Sequence, residues 1–446
     1  MASIKVWPLP DTRAGFYRAW PMLSKREMEN LKEIEALARG GDAASQYRLA
    51  AMLERSGDRE SAREWTRKAA DAGHPGALYT LACELLSARP EEMRVGEAVG
   101  LLSRAREKGG AAAMRQLAVL TALGLGLKQD WAGAVALLGE AAEKGHPAAM
   151  RELALLAESV SGKRSAGSGL LVEAARKGDW IALAYAARRP GLLSERDAAA
   201  ARETLRLRGI TFIALDPQAE DQPLSPAMSV SDLAAIAKTF SEQDWTKSPL
   251  HDRPALYKVP ALLTLDECDY VICASAPLMT PSLVVDPEKG AADHAQYRTS
   301  EGALISLLDF DLMLVSLYRR LAMAAGVNWG NCELIGVLRY RPGQEYKPHH
   351  DYLPEDANDY SEVRRAGQRQ KTLLVSLNHA YAGGATVFPK LGIEHKGETG
   401  DAFVFENTDG AGAPYPETLH AGAPVAKGEK WLLSLWCRER RFWFWD

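Results

Sequence analysis

A glycine-marked repeat dominates the first half of the chain. The stretches "WTRKAADAGHPGALYTLA", "LLSRAREKGGAAAMRQLA", "LLGEAAEKGHPAAMRELA" and "LLVEAARKGDWIALAYAA" share Gly-x-x-x-Ala, with Leu-Ala or Ala-Ala four residues further on. The glycines Gly73, Gly109, Gly145 and Gly178 are spaced by 36, 36 and 33 residues, and a weaker copy begins at Gly41. Within a unit the apolar residues recur at helical spacing, as Ala134, Leu137, Leu138 and Ala141 do. Each glycine supplies a helix stop, where a positive φ costs little. The small residues let two helices approach closely, so each unit reads as a helical hairpin. One hairpin cannot bury its apolar face, whereas a stack of four or five can. Residues 40–210 are therefore predicted to form an α-solenoid of helical hairpins, behind an N-terminal segment 1–39.

Over residues 40 to 190 these units resemble the Sel-one-like branch of the tetratricopeptide superfamily. That resemblance implies a surface for a peptide or protein partner, or a scaffold for the neighbouring domain. Arg104, Arg106, Lys108, Lys144, Arg176 and Lys177 fall near helix C-termini and read as a solvated face that suits the helix dipole. With 54 basic and 58 acidic residues the charge nearly balances, which argues against a nucleic-acid partner or an anionic membrane surface. No apolar run approaches the ~18 residues of a spanning helix, and the opening residues lack the apolar block of a secretory signal. Five cysteines without a CxxC pair (Cys83, Cys268, Cys273, Cys332, Cys437) fit reduced thiols and a cytoplasmic location.

After Gly209 the texture changes. Residues 211–254, with the proline-rich "LDPQAEDQPLSPAMSVSD", read as a linker before a second domain at 255–446. Thr264 and Glu267 have capping-box spacing and start a helix. "DFDLMLVSLYRRLAMAAG" is a second helix that stops at Gly326. Strand candidates follow in "CELIGVLRY", "KTLLVSLN", "ATVFP", "DAFVFEN", "TLHAGAPV" and "KWLLSLWCR", separated by turn signals. Many short strands of this kind predict a sandwich or barrel with helices packed outside.

"YRPGQEYKPHHDY" (340–352) places two histidines before an aspartate. Side chains alternate faces along a strand, so His349 and Asp351 point one way and His350 the other. His420, on a later strand, is the candidate third ligand. Two histidines and a carboxylate on one face form the facial triad of non-haem Fe(II) oxygenases, with positions left open for a bidentate cosubstrate and dioxygen.

Taken in order, Tyr340, Gly343, Tyr346, His349 and Asp351, then "GGATVFP" at 383–389, then His420 and Lys430, resemble the prolyl 4-hydroxylase branch of the 2-oxoglutarate- and iron-dependent dioxygenases. An "RTS" at 298–300 fits as well, and the resemblance spans residues 255 to 440. It implies a double-stranded β-helix, a jelly-roll of two facing sheets with flanking helices. It also implies Fe(II) on His349, Asp351 and His420, with O2 as cosubstrate and ascorbate as a reductant. Lys430 would hold the distal carboxylate of 2-oxoglutarate, with hydroxyls from Tyr340 and Thr372. Alternation places Lys430, Leu432, Ser434 and Trp436 on one face, so Trp436 lines the same pocket. Arg298, Arg369 and Tyr346 are candidate substrate contacts. "YLPEDANDYSEVRRAGQRQ" (352–370) is a candidate lid. His74 and His146 read as helix-entry residues, and His251, His294, His379 and His395 as loop or surface residues.

The resemblance implies hydroxylation of an unactivated C–H bond, first of all in a prolyl residue of a peptide or protein recruited by the repeats. A free amino acid or biosynthetic intermediate is the alternative substrate. A non-catalytic iron- or oxygen-responsive adaptor is the alternative of another class, against which the intact ligand set and Lys430 weigh.

Overall fold

A computed structural model of the protein describes residues 25–87, 92–161, 164–189, 191–207, 245–282, 298–353 and 365–442. Residues 1–24, positions 208–244, His294 and positions 354–364 of the expected lid lie outside the described residues, and of the expected linker 211–254 the described part, 245–254, holds the first strand, Ser248–His251.

Helices pair as the repeat predicts: α1 (Lys25–Arg39) with α2 (Ala43–Ser56), α3 (Arg59–Asp71) with α4 (Pro75–Leu86), and α5 (Val95–Glu107) with α6 (Ala111–Leu123). Next come α7 (Trp131–Glu143) with α8 (Pro147–Ser161), α9 (Ser168–Arg176) with α10 (Trp180–Arg188), and the closing α11 (Glu195–Leu207). Gly41, Gly73, Gly109, Gly145 and Gly178 sit in the tight turns with φ between 79° and 93°, a region open to glycine. The next residue caps the second helix of the pair. Asp42 and Asp179 do so with a carboxylate, whereas His74 and His146 accept through Nδ1 from the N–H three residues on, at 3.3 Å. Ala69, Ala77, Ala98, Ala105, Ala134 and Ala141 are fully buried between helices, where a larger side chain would force them apart.

The second half is built from two facing antiparallel sheets and a separate two-stranded pair. Its strands are β1 (Ser248–His251), β2 (Leu256–Val259), β3 (Thr280–Pro281), β4 (Glu301–Leu304), β5 (Gly336–Tyr340), β6 (Tyr346–His349) and β7 (Arg369–Ser376). They continue as β8 (Ala382–Gly383), β9 (Thr386–Phe388), β10 (Ile393–His395), β11 (Ala402–Glu406), β12 (His420–Gly422), β13 (Val425–Lys427) and β14 (Lys430–Arg438). The larger sheet runs β1-β2-β11-β7-β14-β5-β4-β3, the smaller β10-β9-β12-β6, and β13 pairs with β8. This is the expected double-stranded β-helix. Helices α12 (Leu265–Ser275), started by the Thr264–Glu267 capping box, and α13 (Leu312–Ala325), ended by a left-handed Gly326, flank it.

Alternation divides the larger sheet into two faces. Leu373, Val375, Ala402, Val404, Leu433 and Leu435 join one apolar core with α13 and the solenoid. Leu256, Leu374, Phe388, Phe403, Phe405 and Leu432 form a separate core between the sheets. The helical half thus packs behind the larger sheet, and the smaller sheet lies on the other face.

Paired charges lock the two halves together. Arg151 of α8 meets Asp179 and, across the domain boundary, Asp311, each at 3.1 Å, and also donates to the Tyr270 hydroxyl. Glu152 pairs with Arg115 and accepts the Leu312 N–H at 3.0 Å, while Arg115 reaches the Phe310 carbonyl at 3.2 Å. Asp311 is itself the N-cap of α13. Removing Arg151 takes the cation from the buried Asp311 and the half-buried Asp179, and breaking a buried pair typically costs about 3–5 kcal/mol. An Arg151→Met variant is therefore expected to lose most of that margin in urea unfolding of the full chain at neutral pH.

Candidate metal centre

β6 and β12 run antiparallel with His349 opposite His420, so the smaller sheet brings both imidazoles to one place. Asp351 follows two residues after His349, on the same side. One ligand atom from each of the three lies within 4.8 Å of the others. His349 Nε2 stands 3.8 Å from Asp351 Oδ1, and His420 Nε2 stands 3.7 Å from Asp351 Oδ2.

The tautomers follow from the outer contacts. His349 Nδ1 lies 2.8 Å from the Lys347 carbonyl and His420 Nδ1 lies 2.9 Å from that of Thr418. A carbonyl can only accept, so each Nδ1 carries the proton and each Nε2 turns a lone pair inward. Burial, and next to it His420, pushes the His349 imidazolium down to about 3, so the ring is neutral at neutral pH. Burial opposes ionisation of Asp351, but His420, His349 and the Thr372 hydroxyl outweigh it and hold the carboxyl below its usual range. Two inward-facing imidazole Nε2 atoms and one carboxylate make a donor set that fits a divalent metal such as Fe(II). Phe388 and Phe405 pack against His420 and keep that wall apolar.

His350 turns the other way, as alternation predicts. Its Nε2 lies 3.2 Å from the Pro416 carbonyl and its ring stacks on Tyr352.

On the larger sheet Lys430 is opposite Tyr340, with Nζ 5.4 Å from the phenol ring centroid. Its Nζ donates to the Gly384 carbonyl at 2.7 Å, and among the described residues no carboxylate pairs with it. Burial, with Lys396 nearby, pulls Lys430 down to about 8. A buried ammonium without an anion is costly, and its surroundings fit an incoming carboxylate. Gly383 and Gly384 make this wall: both have positive φ, and a Cβ at Gly383 would lie 2.5 Å from the Pro424 carbonyl oxygen. A small cavity at this end is lined by Ser376, Thr386, His395, Phe403, Lys430 and Leu432.

The other expected site residues lie as follows. Trp436 lies on the inner face, opposite Thr372. The Thr372 hydroxyl, expected to face a cosubstrate, instead donates to Asp351 Oδ2 at 2.7 Å. Tyr346 stacks on His349 with ring centroids 3.5 Å apart, and the Arg298 guanidinium lies over Tyr346 at 4.7 Å. Arg298 Nε also donates to Ser300 Oγ at 3.0 Å. Arg369 forms a fork with Glu333 at 2.8 and 3.0 Å and covers the Trp436 ring at 3.8 Å. Arg438 pairs with the same Glu333. His395 is not a surface residue: it ends β10, stacks on Phe403, and burial holds it at about 4. Sequence reasoning also passed over Glu333 and Asn407. Glu333 adjoins strand β5, and Asn407 follows β11 directly.

Residues 335–438 match the family model described as the 2OG-Fe(II) oxygenase superfamily. Prolyl 4-hydroxylase 1 of Arabidopsis thaliana is 33% identical over 201 residues, covering 42% of this chain and 70% of the relative. Prolyl 4-hydroxylase subunit alpha-1 of Rattus norvegicus is 30% identical over 205 residues, 46% of this chain and 37% of that subunit. Among solved structures, a viral collagen prolyl hydroxylase of Paramecium Bursaria Chlorella virus-1 in a 2OG complex aligns with TM-score 0.33 and 28% identity, over 41% of this chain and 95% of that one. A Sel1 repeat protein of Oxalobacter formigenes aligns with TM-score 0.33 and 24% identity, over 40% of this chain and 85% of that one.

Fold, donor set and family model agree on a 2-oxoglutarate-dependent dioxygenase that uses Fe(II). The chain belongs to the prolyl 4-hydroxylase family. Among the described residues no helix is long and apolar enough to cross a membrane.

Proposed function

We infer that this dioxygenase hydroxylates a prolyl residue within a peptide or protein chain, and that the helical repeats recruit that chain. The carrying observation is the convergence of His349, Asp351 and His420, together with a buried Lys430 that no carboxylate among the described residues pairs with. The prolyl 4-hydroxylase relatives support the prolyl acceptor.

In this reading His349, Asp351 and His420 hold Fe(II). Bound there with 2-oxoglutarate and O2, it supplies the oxidative decarboxylation that leaves succinate and carbon dioxide and puts one oxygen atom into a C–H bond. The chain's own groups do the rest. The Nδ1–H bonds to the Lys347 and Thr418 carbonyls fix both imidazole planes. Lys430 binds the distal carboxylate of the cosubstrate, with Tyr340 beside it. Trp436, under the Arg369 fork, walls the pocket, and Phe388 and Phe405 exclude water from the His420 side. Tyr346 and Arg298, stacked outward from His349, form the rim against which the substrate backbone lies.

The test is succinate release from 2-oxoglutarate with Fe(II) in air, with and without proline-containing peptides, and mass spectrometry of the peptides. Peptide-stimulated turnover with a gain of about 16 Da, one oxygen atom, is expected. Turnover stimulated by free amino acids and not by peptides would overturn the peptidyl assignment. No turnover, coupled or uncoupled, from metal-loaded protein would overturn the enzyme itself.

A further inference from the structure

The hydroxyl on Asp351 is the end of a chain of donors. Asn407 Nδ2 donates to Thr372 Oγ1 at 2.9 Å, and Thr372 Oγ1 lies 2.7 Å from Asp351 Oδ2. Asn407 and Thr372 are fully buried. A hydroxyl has one hydrogen, so a threonine that accepts from an amide N–H keeps that hydrogen for the carboxylate. The direction is therefore set: Asn407 to Thr372 to Asp351.

Two further observations bear on the amide. The Asn407 N–H donates to the Gln370 carbonyl at 2.8 Å, and its carbonyl accepts from Tyr415 N–H at 2.9 Å, so the backbone is pinned on both sides. The side-chain oxygen Oδ1, by contrast, is buried without a partner. Turning the amide over would present that oxygen to Thr372 and draw the hydroxyl hydrogen off Asp351. The observed orientation leaves one acceptor unsatisfied and keeps the bond to the carboxylate.

We propose that Asn407 and Thr372 are positioning residues that hold Asp351 in its metal-ligating orientation, and that Thr372 acts on this ligand and not on the cosubstrate. The proposal rests on the metal assignment above. It concerns the carboxylate, whose orienting donor is the Thr372 hydroxyl, whereas the two histidines are oriented by backbone carbonyls.

The experiment titrates Co(II) into chelator-stripped, full-length protein, follows its ligand-field absorption, and separately measures KM for 2-oxoglutarate with Fe(II). Thr372→Val removes the donor. Asn407→Asp keeps the shape but offers an acceptor that takes the hydroxyl hydrogen. Each is expected to weaken Co(II) binding by about 10–100-fold, the usual effect of losing an outer partner, and to shift the bound-metal absorption. Thr372→Ser is expected to restore both. Unchanged Co(II) affinity and spectrum in Thr372→Val, with a raised KM for 2-oxoglutarate, would return Thr372 to the cosubstrate and overturn the proposal. So would full metal affinity in Asn407→Asp. If Thr372→Val does not fold, Thr372→Cys, a weaker donor of similar size, carries the same comparison. Failure of the underlying metal assignment looks different: wild type and His349→Ala would then bind Co(II) alike.

Discussion

His349→Ala is expected to lose metal binding and turnover, while His350→Ala keeps both. The two rings are neighbours in sequence and have similar intrinsic affinity for a divalent ion, so composition alone predicts equal effects. Geometry separates them. His349 turns Nε2 to within 3.8 Å of Asp351 and lies opposite His420, whereas His350 spends its Nε2 on the Pro416 carbonyl and its face on Tyr352. Deleting a ligand should cost more than the roughly 10–100-fold typical of outer-shell changes. Deleting His350 should alter Co(II) affinity by no more than about twofold, as for a surface substitution. Isothermal titration with Co(II) on both variants reads the difference directly. Comparable losses would show that the carboxylate is shared with the wrong imidazole.

Lys430→Met should raise KM for 2-oxoglutarate by at least about 30-fold, the lower end of what breaking a buried charge pair costs. The same variant should unfold no earlier than wild type when cosubstrate is absent. Both follow from one observation: among the described residues the buried Lys430 ammonium has no carboxylate partner. Until a carboxylate arrives, the ammonium is paying desolvation with only the Gly384 carbonyl in return. Methionine removes that cost along with the binding energy. A pH dependence follows, with its sign. In the cosubstrate-free protein burial holds Lys430 at about 8, so below pH 8 the ammonium is charged and ready. Above that value binding an anion must take up a proton, and the dissociation constant for 2-oxoglutarate should rise about tenfold per pH unit. Binding measured from pH 7 to pH 9.5 should show this slope in wild type and lack it in Lys430→Met.

The sequence carried the repeating half with little loss. A period near 36 residues and a glycine at each turn already contain the hairpin, because positive φ is a local requirement that little besides glycine meets. Strand alternation likewise placed Lys430 and Trp436 on the inner face of β14 and split His349 from His350. What stayed hidden depends on pairings that no local period encodes. Asn407 looks like the last residue of "FVFEN", and nothing nearby says that its amide will meet Thr372 from another strand. Arg151 and Asp311 are 160 positions apart. "TLHAGAPV" reads as one strand, yet it breaks after Gly422: Ala423 and Pro424 leave the smaller sheet, and β13 pairs with β8 instead. His395 has no partner pattern in the sequence and reads as a loop or surface residue, whereas it is buried at the end of three-residue β10, a strand too short to show an alternation of its own.

The paired-charge seam between the two halves has a consequence during synthesis. Arg115, Arg151 and Glu152 leave the ribosome well before Tyr270, Phe310 and Asp311, the groups that complete them. At about 5–20 residues per second, the 160 positions between Arg151 and Asp311 take roughly 8–30 s to translate. The seam can therefore close only after that interval, when Asp311 and the start of α13 have been made, so the last contacts of the solenoid face depend on residues far downstream.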